Sequence, residues 1–237
     1  EAMGIYALAL TAATMVGMLT EFGLPTLTLR EVARAEADHG WGRVKGLQRF
    51  ADGFVLALSA VILIVYLGGR QWFGLPQGSA FVQTMVFAVL LLPVVAIGKL
   101  RGLALLALGK TAAGQIPVMI MRPGLFALAL AGVWFAGSDI GPAQAMALQV
   151  AGAAAAMALL LWLYHRHRPA DLASATPEYN RREWLAAALP MGATEGLRLL
   201  QGQLSLLLIG LFSTAAAAGV YRVADAVAMV ATMATSI

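Results

Sequence analysis

Seven long apolar runs constrain this chain more than any other feature of its sequence. A helix needs about 20 mostly apolar residues to cross about 30 Å of hydrocarbon. Runs of that kind lie at about residues 2–29, 51–68, 80–98, 115–136, 143–164, 184–212 and from 215 onward. We expect the first run to bend near Gly23–Leu24–Pro25 and the fourth to be interrupted at Arg122–Pro123. With 60% hydrophobic and 12% charged residues, the chain has too few charges to build a water-facing surface. We therefore predict an all-α polytopic membrane protein with about seven transmembrane helices.

Residues 165–183 form the longest polar interval and separate five apolar runs from two. The interval contains Arg166, Arg168, Asp171, Glu178, Arg181, Arg182 and Glu183. Pro169 and Pro177 disfavour a helix through its middle. We predict a cytosolic linker here, between an N-terminal lobe at 1–164 and the start of a C-terminal lobe at 184–237. We expect a fragment in which the first helix of the N-terminal lobe is missing and the C-terminal lobe is truncated.

The loops between the runs alternate between basic and non-basic. In order from the interval 30–49, they contain five, one, three, none, four and none Lys or Arg residues. The positive-inside rule places basic loops in the cytosol, so the first run enters from the outside and the linker is cytosolic. The net charge of +4 then reflects topology, and we predict no nucleic-acid partner.

A weak internal repeat supports two lobes. A shift of 215 positions places residues 2–18 on 217–233 with six identities over seventeen positions, including Gly4 and Tyr6 on Gly219 and Tyr221. Both segments run from outside to inside. Repeats with the same direction relate two halves by an axis along the membrane normal, as in some transporter folds.

Several segments of the chain carry a recognisable family pattern: GIYALAL, EFGLPTLTLREVAR, LRGLALLALGKTAAGQIPVMIMRPGLFALAL, LPMGATEGLRLLQGQLSLLLIGLFSTAAAAGVYRVADAVA and the basic linker. In these segments the chain resembles the bacterial oligosaccharide (Wzx-type) flippases of the polysaccharide biosynthesis protein family. The resemblance implies a MATE-like fold with two six-helix lobes in the bacterial plasma membrane, of which this chain holds the second to eighth helices. Many relatives carry an acidic residue near Ser205, so this chain departs from the family there.

The same resemblance implies a substrate and partners. The substrate is an oligosaccharide linked to undecaprenyl pyrophosphate, moved from the cytosolic to the outer leaflet for cell-surface polysaccharide biosynthesis. Membrane lipids and the polysaccharide polymerase machinery are the implied partners, and no cofactor is implied. Alternating access would arise from rocking of the two lobes about a flexible linker.

Charged residues inside the apolar runs are the first candidates for function, because each costs at least about 2.5–3.5 kcal/mol at the centre of a bilayer. Arg122 lies about one third of the way along the fourth run, with no acidic residue near it in sequence. We predict that it binds substrate, as an anion contact facing a wet cavity; the alternatives are an ion pair with an acid of another helix and a side chain that extends to the membrane interface. Glu21, closer to the cytosolic end of the first run, is a candidate for coupling to protons or sodium.

The sixth run carries a polar stripe. Glu195 and Arg198 are three residues apart, so they share a helix face and can pair, and Gln201 and Ser205 continue that face. Lipid does not satisfy such groups, so the stripe faces either a cavity or a neighbouring helix. We predict that Glu195, Arg198 and Gln201 contribute to substrate binding, with Glu195 as a further candidate for ion coupling.

Arg222 and Asp225 repeat this spacing in the seventh run. A structural ion pair and a functional one are both compatible with the pattern. We include both residues among the predicted substrate-binding residues, and Asp225 among the candidates for ion coupling.

No pattern in the sequence indicates an enzyme. Cysteine is absent, and neither a nucleophile–base pair nor a cluster of metal ligands is recognisable. The leading hypothesis is therefore a flippase for a lipid-linked oligosaccharide. The alternatives are a MATE-like exporter of small molecules driven by protons or sodium, and a membrane scaffold that transports nothing.

Overall fold

The computed structural model describes residues 2–72, 80–137 and 140–212, with side chains omitted at both ends of the first range and beyond Leu197. This part of the chain is helical and contains no strand. Its helices are α1 (Ala2–Glu21), α2 (Leu24–Asp38), α3 (Trp41–Trp72), α4 (Ala80–Ala107), α5 (Thr111–Ile116), α6 (Arg122–Phe135), α7 (Pro142–His167), α8 (Ala170–Ser174) and α9 (Arg181–Phe212), with a π-helix at Pro117–Met121 between α5 and α6.

Among the described residues, four helical segments are long and apolar enough to cross a membrane. They are Trp41–Gly69, Ala80–Ala107, Thr111–Phe135 and Pro142–His167, and they coincide with the second to fifth predicted runs. The first and sixth runs form α1 and α9, while the seventh lies outside the described residues. An all-α polytopic membrane protein is confirmed.

The first predicted run is two helices instead of one. α1 ends at Glu21, Phe22 and Gly23 take positive φ values, and α2 begins at Leu24. Gly23 has φ 71°, which glycine adopts without steric cost, and Pro25 occupies the first turn of α2. The bend predicted near Gly23 is confirmed, and the polar interval after it is helical: α2 and the first turns of α3 contain it.

α4 lies at the centre of the first part of the chain, packed against α1, α2, α3, α5 and α7. It continues to Ala107, so the residues after Gly98 prolong this helix instead of lying along the membrane surface. Its close crossing with α5 depends on Gly102 and Gly114, because a Cβ on Gly102 would lie 2.9 Å from the Gly114 carbonyl oxygen. The crossing is thus a backbone-to-backbone contact of the kind that small residues allow in membranes.

The fourth predicted run forms one helical segment with a widened stretch in its first half. Pro123 has no amide hydrogen, and its ring would collide with the carbonyl of Met119 in a regular α-helix. The turns before Pro123 are π-helical, and the Arg122 amide donates to the Pro117 carbonyl five residues back. The interruption predicted at Arg122–Pro123 is therefore a π-helix that ends at Met121, and the helix continues through it.

The chain divides into two compact units, Glu1–Gly192 and Ala193–Ile237. The boundary falls inside α9, and the predicted linker belongs entirely to the first unit. A helix through the middle of the linker was disfavoured on sequence grounds, yet the short α8 begins directly after Pro169, where proline is tolerated because it precedes the first turn. The division into lobes at 165–183 stays a prediction.

Candidate functional site

Arg122 lies near the middle of a membrane-spanning segment. The segment Thr111–Phe135 has 25 residues, and at 1.5 Å per residue Arg122 is about 16 Å from its start. Its side chain is half-buried and lines a groove of about 70 Å³ between the π-helix, α4 and α7. Apart from Arg122 and Lys99, the lining consists of glycine, alanine, valine, leucine and methionine side chains.

No carboxylate of the described residues forms an ion pair with Arg122. One turn further along the helix, the Phe126 ring stacks on Tyr6 of α1 with 6.1 Å between centroids and 8° between planes. Gly152 of α7 faces the Arg122 carbonyl, so α7 can approach closely at this point. Arg122 therefore has the unpaired character expected of an anion contact, within the part of the chain that the structure describes.

Glu21, a predicted ion-coupling residue, forms an ion pair with Lys99. The Lys99 Nζ donates to Glu21 Oε2 at 2.6 Å, and the Glu21 side chain is 18% exposed while that of Lys99 is 41% exposed. Lys99 also lines the Arg122 groove. The Glu21 carboxylate is thus neutralised by a cation from α4, and its role in ion coupling stays a prediction.

A second ion pair was missed by the sequence analysis. Arg101 of α4 pairs with Asp52 of α3, with side chains 10% and 28% exposed. The Arg101 guanidinium lies 5.4 Å from the Tyr164 ring centroid, and Gln48 Nε2 donates to the Tyr164 hydroxyl at 2.5 Å. This polar cluster joins α3, α4 and α7.

The signal for this cluster was present in the sequence. Asp52 is an acidic residue inside the second apolar run, where a charge requires a partner. Arg101 was counted in the basic loop after the third run, which was predicted to end at Gly98, whereas the structure places it in the interior of α4. Asp52 Oδ1 and Arg101 Nη1 are buried without a hydrogen-bond partner, so the pair has capacity for one further polar group such as a water molecule.

The polar stripe of the sixth run is only partly described. Glu195 is half-buried on α9, and none of the described residues pairs with it. Arg198 and Gln201 lie on α9 by their backbone, but their side chains fall outside the described set, as does Ser205. Arg222 and Asp225 lie outside the described residues altogether. These substrate-binding assignments remain predictions. Within the described residues, no group of three or more His, Asp or Glu could hold a metal ion.

The helices and the charged positions define an integral membrane protein with ionised side chains inside its spans. The chain matches the family model of the polysaccharide biosynthesis proteins over residues 1–236 and belongs to that family. The family of the Wzx-type flippases, indicated by the sequence resemblance, is thereby confirmed, together with a family-level role in polysaccharide biosynthesis. Comparison with curated proteins gave no match, and comparison with solved structures gave none.

Proposed function

We propose that this chain is part of a flippase that moves an oligosaccharide linked to undecaprenyl pyrophosphate across the bacterial plasma membrane, and that it is not an enzyme. The proposal is supported by family membership and by one observation above all: Arg122, near the middle of a span, has no ion-pair partner among the described residues and lines an apolar groove. A cation inside a membrane span costs free energy, and contact with an anionic substrate would offset that cost.

The chemistry of such a substrate suits this position. A pyrophosphate must cross the hydrocarbon region while its polyprenyl tail stays in lipid. A guanidinium binds phosphate oxygens in a bidentate manner and stays ionised when desolvated, unlike an ammonium group. Arg122 would lower the barrier for the anion at mid-membrane, and Lys99 at the edge of the same groove would contribute a second cation when it releases Glu21.

The test is lipid translocation by the full-length protein in proteoliposomes. A polyprenyl pyrophosphate carrying a labelled oligosaccharide is the probe, and the protein is compared with Arg122→Gln, Arg122→Lys and Arg166→Gln. Arg166 is the control, since it is an exposed arginine at the end of α7, stacked on Trp162. We expect Arg122→Gln to lose at least about tenfold in rate, corresponding to the loss of one charge-assisted contact. Arg122→Lys should fall in between, and Arg166→Gln should match the parent.

Two outcomes would contradict the proposal. A wild-type rate in Arg122→Gln would remove Arg122 from the substrate path. Failure of the parent protein to move the lipid-linked oligosaccharide, combined with proton- or sodium-dependent export of small molecules, would favour the MATE-like exporter instead.

A further inference from the structure

The predicted linker is bound along the first turns of α3. Residues 172–180, here named the strap, run from within α8 to the residue before α9. Leu172 is 3% exposed and packs in a core cluster with Trp41 and Val44 of α3. At the far end of the strap, Trp184 of α9 is 1% exposed and contacts the Phe50 ring with 5.6 Å between centroids. The strap is therefore anchored by apolar contacts at both ends.

Between the anchors, polar contacts attach the strap to α3. The Lys45 ammonium donates to the carbonyls of Ala173 and Ala175 at 2.7 and 2.8 Å. The Glu178 amide donates to the Gly42 carbonyl at 3.0 Å. Carbonyls at and just beyond a helix end lack partners within the helix. Lys45 supplies hydrogen bonds to two carbonyls in that position at the end of α8.

The surface of α3 under the strap is built for close approach. A Cβ on Gly46 would overlap the carbonyl oxygen of Glu178, and a Cβ on Gly42 would lie 2.8 Å from the Thr176 carbonyl oxygen. By contrast, Gly53 on the exposed side of the same helix has nothing within 4 Å of a Cβ. Gly42 and Gly46 thus lie where the backbone of the strap comes closest to α3. Glycine is found there although it lowers the stability of a helix.

A third contact continues the attachment into α9. Arg43 of α3 pairs with Glu183 at 2.7 Å, and the Asn180 side-chain amide donates to the same Glu183 oxygen at 2.9 Å. The strap and the first turn of α9 therefore share one face of α3.

We propose that the strap is a brace that stays bound to α3 during transport, so that the first turns of α9 move with α3 and the linker is not a hinge. A flexible linker that moved during transport would need none of these contacts: two buried apolar anchors, a lysine bound to two carbonyls, and two glycines beneath its backbone. The transport readout rests on the proposed function, whereas attachment of the strap can be tested without it.

The first experiment measures attachment alone. Trypsin cleavage at Arg181 and Arg182, directly after the strap, is followed in the parent, in Lys45→Met and in Arg49→Met of the full-length protein. Methionine keeps most of the apolar stem and removes the charge, and Arg49 is an exposed residue one turn along the same helix. We expect Lys45→Met to be cleaved about tenfold faster than the parent, since it loses charge-assisted hydrogen bonds, and Arg49→Met to match the parent. Equal cleavage rates in the parent and both variants would contradict the attachment of the strap to α3.

The second experiment tests whether the strap stays attached during transport. Lys45→Cys and Ala175→Cys are combined in a full-length protein whose only cysteines are this pair. A short bifunctional thiosulfonate, about as long as the lysine side chain, then joins the two positions. We expect the unlinked double variant to lose most lipid translocation and the cross-linked protein to regain it, while Lys45→Cys alone gains nothing from the reagent.

The outcomes separate the brace from the function. An inactive cross-linked protein would show that the strap must detach, and parental activity in the unlinked variant would show that the brace is dispensable; either result overturns the proposal. If the parent protein does not move the lipid-linked oligosaccharide, the proposed function fails, and the trypsin result still decides whether the strap is docked.

Discussion

At the scale of single residues, the basic side chains inside the helices differ in whether an acidic side chain pairs with them. Lys99 and Arg101 neighbour each other on α4, yet they pair with acids of different helices, Glu21 of α1 and Asp52 of α3. Arg122 has no acidic partner among the described residues. Pairing satisfies the first two charges inside the protein, whereas the part of the chain that the structure describes supplies no such acid to Arg122, the residue for which we propose a ligand contact.

The Asp52–Arg101 pair gives a stability prediction. In Arg101→Met, the Asp52 carboxylate loses its cation in a largely buried position, and removal of one partner of a buried pair is costly. We expect a loss of about 2 kcal/mol or more in unfolding free energy. Unfolding in mixed detergent micelles, followed by circular dichroism, is the measurement.

The control for this prediction is an exposed pair. Arg34 and Asp38 lie four residues apart on α2 with side chains 58% and 62% exposed, and Arg34→Met should cost at most about 0.5 kcal/mol. Replacing both buried partners, Asp52→Leu with Arg101→Met, should recover much of the loss because no charge is left unpaired. If Arg101→Met proves as harmless as Arg34→Met, the pair does not stabilise the bundle.

At the scale of secondary-structure elements, glycine and proline determine where helices bend and approach each other. Gly23 ends the turn between α1 and α2 and contacts the backbone of α9 at Ala188 and Gly192. Pro123 shifts the preceding turns into a π-helix. Each of these residues acts through the backbone, so the effect of a substitution depends on both φ and the space available.

Gly23 and Gly109 form a matched pair for testing these two contributions. Both have φ 71°, but a Cβ on Gly109 meets nothing within 4 Å, whereas a Cβ on Gly23 would lie 2.5 Å from the Ala188 carbonyl oxygen. We expect Gly109→Ala to cost about 1–2 kcal/mol from its left-handed backbone alone, and Gly23→Ala to cost clearly more. Thermal unfolding of the two variants measures the difference. Equal losses would mean that α9 does not press on this turn.

At the scale of the whole molecule, the alternation of basic and non-basic loops defines an orientation. The loop around Lys110 belongs to the basic set, and Ala136, directly after α6, opens a loop without Lys or Arg. The polar clusters of Glu21–Lys99 and Asp52–Arg101 lie toward the ends of helices that the rule assigns to the cytosol. The ion pairs and the strap would then share the cytosolic side of the protein.

Labelling of single cysteines tests this orientation. The absence of cysteine from the chain simplifies the experiment, and both Lys110 and Ala136 are exposed. In intact cells, a membrane-impermeant maleimide should label Ala136→Cys and leave Lys110→Cys unlabelled until the membrane is permeabilised. The reverse pattern would invert the topology, and labelling of both positions in intact cells would contradict the four spans.

Much of the architecture followed from the sequence because the relevant signals are local. Run length and hydropathy identified the second to fifth runs as spans, and the Gly–Leu–Pro triplet located the bend at Gly23. Ends were less accurate: α3 begins at Trp41, well before the predicted start at 51, because its first turns are polar and packed on other protein segments instead of lipid. The α9 stripe and the residues beyond 212 remain predictions.

By itself, then, the sequence identified lipid as the surroundings of the chain and indicated its family, and it predicts the direction of the spans, because hydropathy, charge alternation and family pattern are carried by neighbouring residues. Only the tertiary structure decided which charges are paired and where the linker lies. Glu21 and Lys99 are 78 positions apart, Asp52 and Arg101 are 49 apart, and Lys45 meets carbonyls 128 and 130 positions away. Such contacts depend on how helices pack in three dimensions, and no local period along the chain encodes them.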